Sequence, residues 1–438
     1  MATTPFSVDL TTFPRTGLPE IRPEAVFTVA PRYAGAWTVA GDLDGDGVAE
    51  LVQARLWDHD DVHAVAAVSA CRLDGTPLWH WGKPAEGVAA LHSDVPCQIH
   101  DWNRDGRPEV VVATRSHVVT LDGASGAELQ RFPTPNPDAA DCLTFANLTG
   151  GDRDDLLLKS RYHRLWAFTW DGRPLWHTTD PGGFLTAHQA YPLDLDGDGL
   201  DEVVAGYALL DHDGRLLWTL DGDALGLGKG HLDCVRVLAT GTCPEQWRLV
   251  LTCCGDHALL CLDGRGRLVW QQRGLHFESI HIGRFAADPA ERRILVDIDH
   301  VAPGCSPLHL YDGDGTLRGE INSVYGRHHP LVAWGDTETD RIVACEDRLL
   351  VSGESGEPLA RLATPLPAGA AFAQAERPRE HTARGEFHLI GQVGNLFGNG
   401  RQDLILSTNP GAVVWLYRNP GGPRQTVPLG TGRNVTLY

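Results

Sequence analysis

The stretch "DLDGDGVAEL", Asp42 to Leu51, decides the fold, because the chain repeats it as "DWNRDGRPEV" from Asp101 and "DLDGDGLDEV" from Asp194. In each copy an acidic turn leads into an apolar strand: "ELVQA", "EVVVA" or "EVVAG". Aligning the chain on these turns yields a unit of four short strands, with an Asp-Gly turn between the third and fourth. Those turns stand in "RLDGTPLWHW", "TLDGASGAEL", "TWDGRPLWHT", "DHDGRLLWTL", "CLDGRGRLVW" and "LYDGDGTLRG". Asp-Gly between alternating apolar residues is a hairpin signal, since the glycine takes the positive φ that the tight turn demands. Units begin near Gly35, Val95, Asp141, His188, His231, His276, His329 and His388, about 43 to 60 residues apart. Four strands at that period read as one propeller blade. The expected fold is all-β: an eight-bladed β-propeller of four-stranded antiparallel blades, or seven blades if one unit is misdivided.

The whole chain, 1–438, then reads as one propeller domain. Its N-terminal segment, 1–34, is available to close the last blade, whose outermost strand is missing. "FSVDLT" near the N-terminus or "TVPLGTG" near the C-terminus can supply that strand. The segment 364–386 is the one long insertion, between units seven and eight.

Bulk composition narrows the class. At 438 residues the chain suits two or three domains or one repeat array, and its 42% apolar content suffices for a core. A formal charge of −20 argues against partners that need a basic face, nucleic acid and anionic membranes among them, while leaving room for a local basic pocket. No apolar run reaches the roughly 18 to 20 residues of a membrane helix. "MATTPFSVDLTTFPRTG" lacks a basic region followed by an apolar one, so a cytoplasmic location is expected. Ten cysteines without a paired CxxC spacing read as reduced, mostly buried small hydrophobes, among them Cys71, Cys97, Cys142, Cys234, Cys253, Cys254 and Cys261.

The acidic turns carry a ligand pattern. Oxygen-bearing side chains fall at positions one, three, five and nine: Asp42, Asp44, Asp46 and Glu50; Asp101, Asn103, Asp105 and Glu109; Asp194, Asp196, Asp198 and Glu202. A hard cation with oxygen ligands fits, and calcium tolerates such flexible geometry better than magnesium. The spacing differs from an EF-hand, whose last ligand comes at position twelve. It resembles the calcium loops of integrin-type (FG-GAP-like) propeller repeats. Structural Ca2+ at several sites is therefore expected, fastening strands. "NLFGNGRQD" and "NLTGGDRDD" are degraded copies, and units five to seven have lost the pattern. The same turns without metal are the alternative.

Strand parity separates the two ends of each blade. First-to-second and third-to-fourth turns share one end; second-to-third turns and blade-to-blade crossovers share the other. The crossovers carry His92, His188, His231, His276, Arg327, His328 and His329, and the last unit adds His388. The second-to-third turns carry Arg115, His117, Lys159, Arg161, Tyr162, His163, Tyr207 and His257. Imidazoles with Arg, Lys and Tyr suit the cleavage of a polyuronate by β-elimination. A guanidinium neutralises the carboxylate while an acid–base pair moves protons at carbon five and the leaving oxygen. His92, Arg161, Tyr162, His188 and His231 are the catalytic candidates, with Arg161 as carboxylate clamp and His231 held by Asp233. Arg115, Lys159, Tyr191, Tyr207, His276, Arg327 and His328 are the candidates for substrate binding. Histidines inherited from an ancestral repeat, each bonded to a neighbouring blade, are the alternative, and a transition metal held by imidazoles is a third reading.

"DLDGDGLDEVVAGYALLDHDGRLLW" followed by "GKGHLDCVRV" resembles the propeller repeats of rhamnogalacturonan lyases. "LLLKSRYHRLWAFTWDGRPLW" is similar to units of propeller lyases that split rhamnose–glucuronate linkages, a broad group that includes ulvan lyases. The resemblance runs from about Gly35 to Asn419. It implies a calcium-stabilised propeller with His, Tyr and Arg in an axial cleft. The implied partner is an acidic oligo- or polysaccharide containing rhamnose and uronate, met by a monomer or small homo-oligomer. A non-catalytic propeller that binds carbohydrate or serves as a scaffold is the rival. A quinone-dependent dehydrogenase is a weaker one, because the Trp-docking repeat of that family is not sustained.

Overall fold

The computed structural model describes residues 4–57, 63–89, 94–228, 230–286, 288, 291–301, 307–324, 329–370 and 389–438. Strands dominate, and among the described residues helix is confined to Gly222–Leu225 and three single 3₁₀ turns. Eight blades of four antiparallel strands form, seven of them in chain order and the eighth completed by an N-terminal strand, and the fold is an eight-bladed β-propeller. Two compact units divide the chain. One comprises Met1–Leu56, Ala66–His92 and His281–Gly432; the other comprises Trp57–Val65, Ser93–Ile280 and Arg433–Tyr438.

The second unit holds blades two to five. Their first strands are Cys97–His100, Cys142–Ala146, Thr186–Leu193 and Leu232–Ala239. Inner strands are continuous apolar runs such as "EVVVA" and "DLLLK", buried at every residue. Fourth strands alternate, as in "PLWHTT", because one of their faces meets water. Leu156, Leu158, Phe145, Val111 and Val118 fill the seam between blades two and three. Leu209, Leu251, Leu260 and Val235 fill the seam between blades four and five.

Two repeat features explain the motifs. Trp176 in the fourth strand of blade three donates its indole N–H to the His212 carbonyl at 2.8 Å, in the Asp-Gly turn of blade four. Trp218 of blade four does the same to the Gly264 carbonyl in blade five at 3.0 Å. The turn glycines must be glycine twice over. Gly214 and Gly266 have φ of 84° and 75°. A Cβ on either would also stand 2.7 or 2.8 Å from the neighbouring indole.

The second feature is a lock at position nine of the acidic loop. Glu50, Glu109 and Glu202 each accept the backbone N–H of position two, from Leu43, Trp102 and Leu195, at 2.7–2.8 Å. The degraded loops keep it: Leu148 donates to Asp155 at 3.0 Å and Leu396 to Asp403 at 2.8 Å. Position nine therefore closes the turn even where the other acids are lost.

The first unit holds blade one and the last blades, dressed by N-terminal strands. Ala25–Thr28 pairs antiparallel with Val413–Tyr417 and gives blade eight its fourth strand. Neither "FSVDLT" nor "TVPLGTG" takes that place. Phe6–Asp9 lies parallel to residues 319–322 as a fifth strand of blade six, and Glu20–Ile21 lies parallel to Arg361–Leu362 in blade seven. Among the described residues, Leu429 and Gly430 form isolated bridges to Asn395. Of the expected insertion, residues 371–386 lie outside the described residues.

Candidate functional site

Within the second unit, the ends carrying crossovers and second-to-third turns gather the predicted side chains. Arg161 and Tyr162 stand in the turn between Asp155–Lys159 and Arg164–Phe168 of blade three. His188 and Asp233 both occupy irregularities of a first strand. In blade four Thr186 pairs with Gly206 and Tyr191 with Val204, so residues 187–190 escape the ladder. In blade five Leu232 pairs with Cys253 and Cys234 with Thr252, so Asp233 is skipped. Such bulges re-aim a side chain out of the pleat, and here they turn one imidazole and one carboxylate toward each other.

The result is a tight cluster. His188 Nε2 and His231 Nε2 lie 3.0 Å apart. Each is 3.1 Å from Asp233 Oδ1. Tyr162 packs its ring 4.6 Å from that of His231 and 5.8 Å from that of His188. The Arg161 guanidinium lies 5.2 Å over the Tyr162 ring and is 17% exposed, so it is partly presented to solvent. Burial, followed by the positive charge of Arg161, pushes the His231 imidazole down to about 4.

Beneath them lies a buried ion network. The Asp141 carboxylate accepts from Lys159 Nζ at 2.8 Å, meets His63 Nδ1 at 3.1 Å and has Arg161 Nη1 at 3.8 Å. Burial alone would raise this carboxyl, but Lys159, His63 and Arg161 outweigh it and hold it far below the usual carboxylate range. Lys159 Nζ also donates to the Arg161 carbonyl at 2.9 Å, which ties the network to the turn.

The other candidates fall in different surroundings. Lys159 is only 2% exposed, so the expectation that it meets substrate is corrected: its ammonium is spent on Asp141 and the Arg161 carbonyl. Tyr207 is likewise no surface group, being fully buried with its hydroxyl donating to Asp256 at 2.7 Å. Tyr191 is half-buried, and burial raises its phenol. Arg115 is exposed and lies 3.6 Å over the Trp57 ring. His276 Nε2 stands 3.3 Å from both Cys254 Sγ and Glu278 Oε1. Cys254 is therefore half-buried beside an imidazole, where a small core hydrophobe was expected. His92, Arg327, His328 and His388 lie outside the described residues.

Two kinds of donor set can hold a metal. Asp42, Asp44 and Glu50, and likewise Asp194, Asp196 and Glu202, bring oxygens within 4.8 Å of one another. All-oxygen donors fit a hard cation such as calcium. In blade one Arg72 donates to Asp44 at 2.7 Å and shares that cradle. In blade two the Asn103 amide donates to Glu109 at 2.5 Å and to Asp105 at 3.1 Å. Burial, then the neighbouring carboxylates, raise Glu50 and Glu202 to about 7, a cost that a bound cation would remove. The second kind brings in nitrogen, and in one set sulfur: His188, His231 and Asp233, and Asp233, Cys254 and His276.

With this geometry in view, the comparisons with known proteins acquire meaning. No protein-family model matches the chain. Rhamnogalacturonan exolyase YesX of Bacillus subtilis (strain 168) is 24% identical over 267 residues, covering 47% of this chain and 42% of that protein. Rhamnogalacturonan endolyase YesW of the same organism is 25% identical over 261 residues, covering 45% and 42%. The chain's homologues are rhamnogalacturonan lyases. The match spans about two fifths of the length of these curated relatives, 42% of each. Solved structures agree on the fold. That of exotype rhamnogalacturonan lyase YesX has a TM-score of 0.62 at 18% identity, covering 96% of this chain and 82% of that one. That of YesW has 0.60 at 18%, covering 93% and 76%. The Vibrio cholerae biofilm matrix protein Bap1 has 0.59 at 11%, covering 95% and 93%. A fold shared by lyases and a matrix protein does not itself choose a function; the side chains must.

Proposed function

We propose that the protein is a polysaccharide lyase that cleaves a uronate-containing, rhamnose-linked glycan of pectin type by β-elimination. The observation that carries this reading is the convergence of Arg161, Tyr162, His188 and His231 on one end of blades three to five, in a chain whose homologues are rhamnogalacturonan lyases. Arg161 pairs with the uronate carboxylate and offsets the charge that develops there as the carbon-five proton leaves. The His231 imidazole takes that proton, and the C–H electrons become the double bond between carbons four and five. The bond from carbon four to the glycosidic oxygen breaks, and the Tyr162 hydroxyl delivers a proton to the departing oxygen. His188 and Asp233 hold the His231 ring in place through the contacts at 3.0 and 3.1 Å. Calcium, in this reading, is held by the acidic loops of blades one, two and four at the opposite end of the sheets, and fastens hairpins.

Incubation with rhamnose–uronate polysaccharides and oligosaccharides tests the reading. The ultraviolet band of an unsaturated uronate is expected to grow. Binding of these glycans with no band would replace the lyase by a carbohydrate-binding propeller.

A further inference from the structure

Residues 433–438 form no regular secondary structure, yet they are held along their length. The Arg433 guanidinium pairs with Asp154. The Asn434 side-chain amide pairs with both backbone groups of Phe145, accepting its N–H at 2.7 Å and donating to its carbonyl at 2.9 Å. The Gln98 amide does the same to Val435, with both bonds at 2.9 Å. Leu437 donates its N–H to Asp94 at 2.7 Å, and the Arg236 guanidinium donates to the main-chain oxygen of Tyr438. Gln98, Phe145 and Arg236 belong to the first strands of blades two, three and five. The segment is thus a strap across the inner strands of the second unit.

The strap ends on the site. Tyr438 is 4% exposed, and its ring lies flat on the His188 imidazole, with centroids 4.6 Å apart and planes 6° from parallel. Tying the strands together would require only the backbone and amide pairs. Those bonds offset the entropy lost when the segment is ordered, and none of them involves the aromatic ring. The ring does something else. His188 leaves the regular ladder, so its own strand does not fix its plane. A parallel aromatic against one face restricts rotation about the Cβ–Cγ bond and keeps Nε2 aimed at His231 and Asp233.

We propose that Tyr438 is a positioning residue for His188, delivered by the strap Arg433–Tyr438. The proposal rests on the reading of His188 as part of the lyase site. Three variants of the full chain test it: Tyr438→Phe keeps a flat partner, Tyr438→Leu keeps apolar volume without a plane, and Asn434→Ala loosens the strap while touching neither ring. Three readouts are taken: the His188 ring-proton resonances in histidine-labelled protein, kcat and KM for the unsaturated product across pH, and the melting temperature. Tyr438→Phe is expected to match the parent. Tyr438→Leu is expected to lose the ring-current shift on His188, lower kcat about tenfold with KM nearly unchanged, and displace the pH profile. Asn434→Ala should move the same readouts in the same direction, by less. A lowered melting temperature with unaltered kcat, pH profile and His188 resonances in Tyr438→Leu and Asn434→Ala would reduce the strap to a fastener and overturn the proposal. If the parent forms no unsaturated product, the lyase reading fails separately. The resonances then decide: a shifted His188 signal in Asn434→Ala supports positioning, and an unshifted one ends it. Should Tyr438→Leu not fold, the Asn434→Ala and Tyr438→Phe results carry the decision.

Discussion

Blades two to five have two ends built on different terms. At the acidic end, a carboxylate does the same job in blades two, three and four: position nine accepts the N–H of position two in intact and degraded loops alike. At the imidazole end each blade contributes something different: Arg161 and Tyr162 from blade three, His188 from blade four, His231 and Asp233 from blade five. Repetition serves stability, because each of these turns is closed in the same way. Difference serves chemistry, because an asymmetric substrate needs a distinct group at each point. Breaking the acidic end should cost stability alone, whereas the imidazole end should separate activity from stability.

The buried network is the place where that separation should fail, and it carries the largest expected effect. Asp141→Asn leaves the buried Lys159 ammonium without its counter-charge, and about 3–5 kcal/mol of unfolding free energy should be lost in denaturant titration. A loss below 1 kcal/mol would mean that the network is not closed. Next comes Arg161→Ala, with an expected fall of about 100-fold in kcat/KM, or about 2.7 kcal/mol, and a melting temperature close to that of the parent. Unchanged turnover would remove Arg161 from the mechanism.

The acidic end offers two smaller tests. Glu202→Ala and Asp155→Ala each strand a buried backbone N–H and should cost about 1–3 kcal/mol. Only the Glu202 variant should lose part of its gain from added calcium, read as the melting-temperature difference between calcium and chelator. Equal calcium responses would deny blade four its metal. The smallest effect concerns Asp154. Burial alone would raise its carboxyl, but the His100 hydrogen bond and the Arg433 charge outweigh it and bring it to about 2. Its folded value thus lies below the unfolded one, so its contribution is present above about pH 4 and vanishes as pH falls toward 2. Asp154→Asn should melt lower than the parent at pH 5 and equal it near pH 2. A constant gap across that range would contradict the assignment.

The contrast between the ends also explains what was legible. Blade count, strand order and the acidic loops followed from repeated Asp, Gly and alternating apolar residues, which report local geometry. The joining of Tyr162, His188 and His231 followed from strand parity. What escaped depends on contacts between distant segments. Lys159 ends a strand beside a polar turn and reads as exposed; Asp141, eighteen residues earlier, explains its burial. Asp141 opens unit three where units four to eight place a histidine, which was a usable signal. Cys254 follows Cys253 directly, so strand alternation turns the two thiols to opposite sides, and that too was readable. His63 and Tyr438 carried no local mark. Neither did Ala25–Thr28, whose four residues differ little from those of "FSVD" as strand formers.

That short strand has a consequence for how the molecule is assembled. Ala25–Thr28 finds its partner in Val413–Tyr417, and Phe6–Asp9 and Glu20–Ile21 find theirs in blades six and seven. During synthesis, these segments must wait unpaired until their partners in blades six, seven and eight have emerged. Closing so long a loop costs entropy before any contact repays it, so maturation of this half should be slow. A rearranged gene that places residues 6–28 directly after blade eight would shorten that wait.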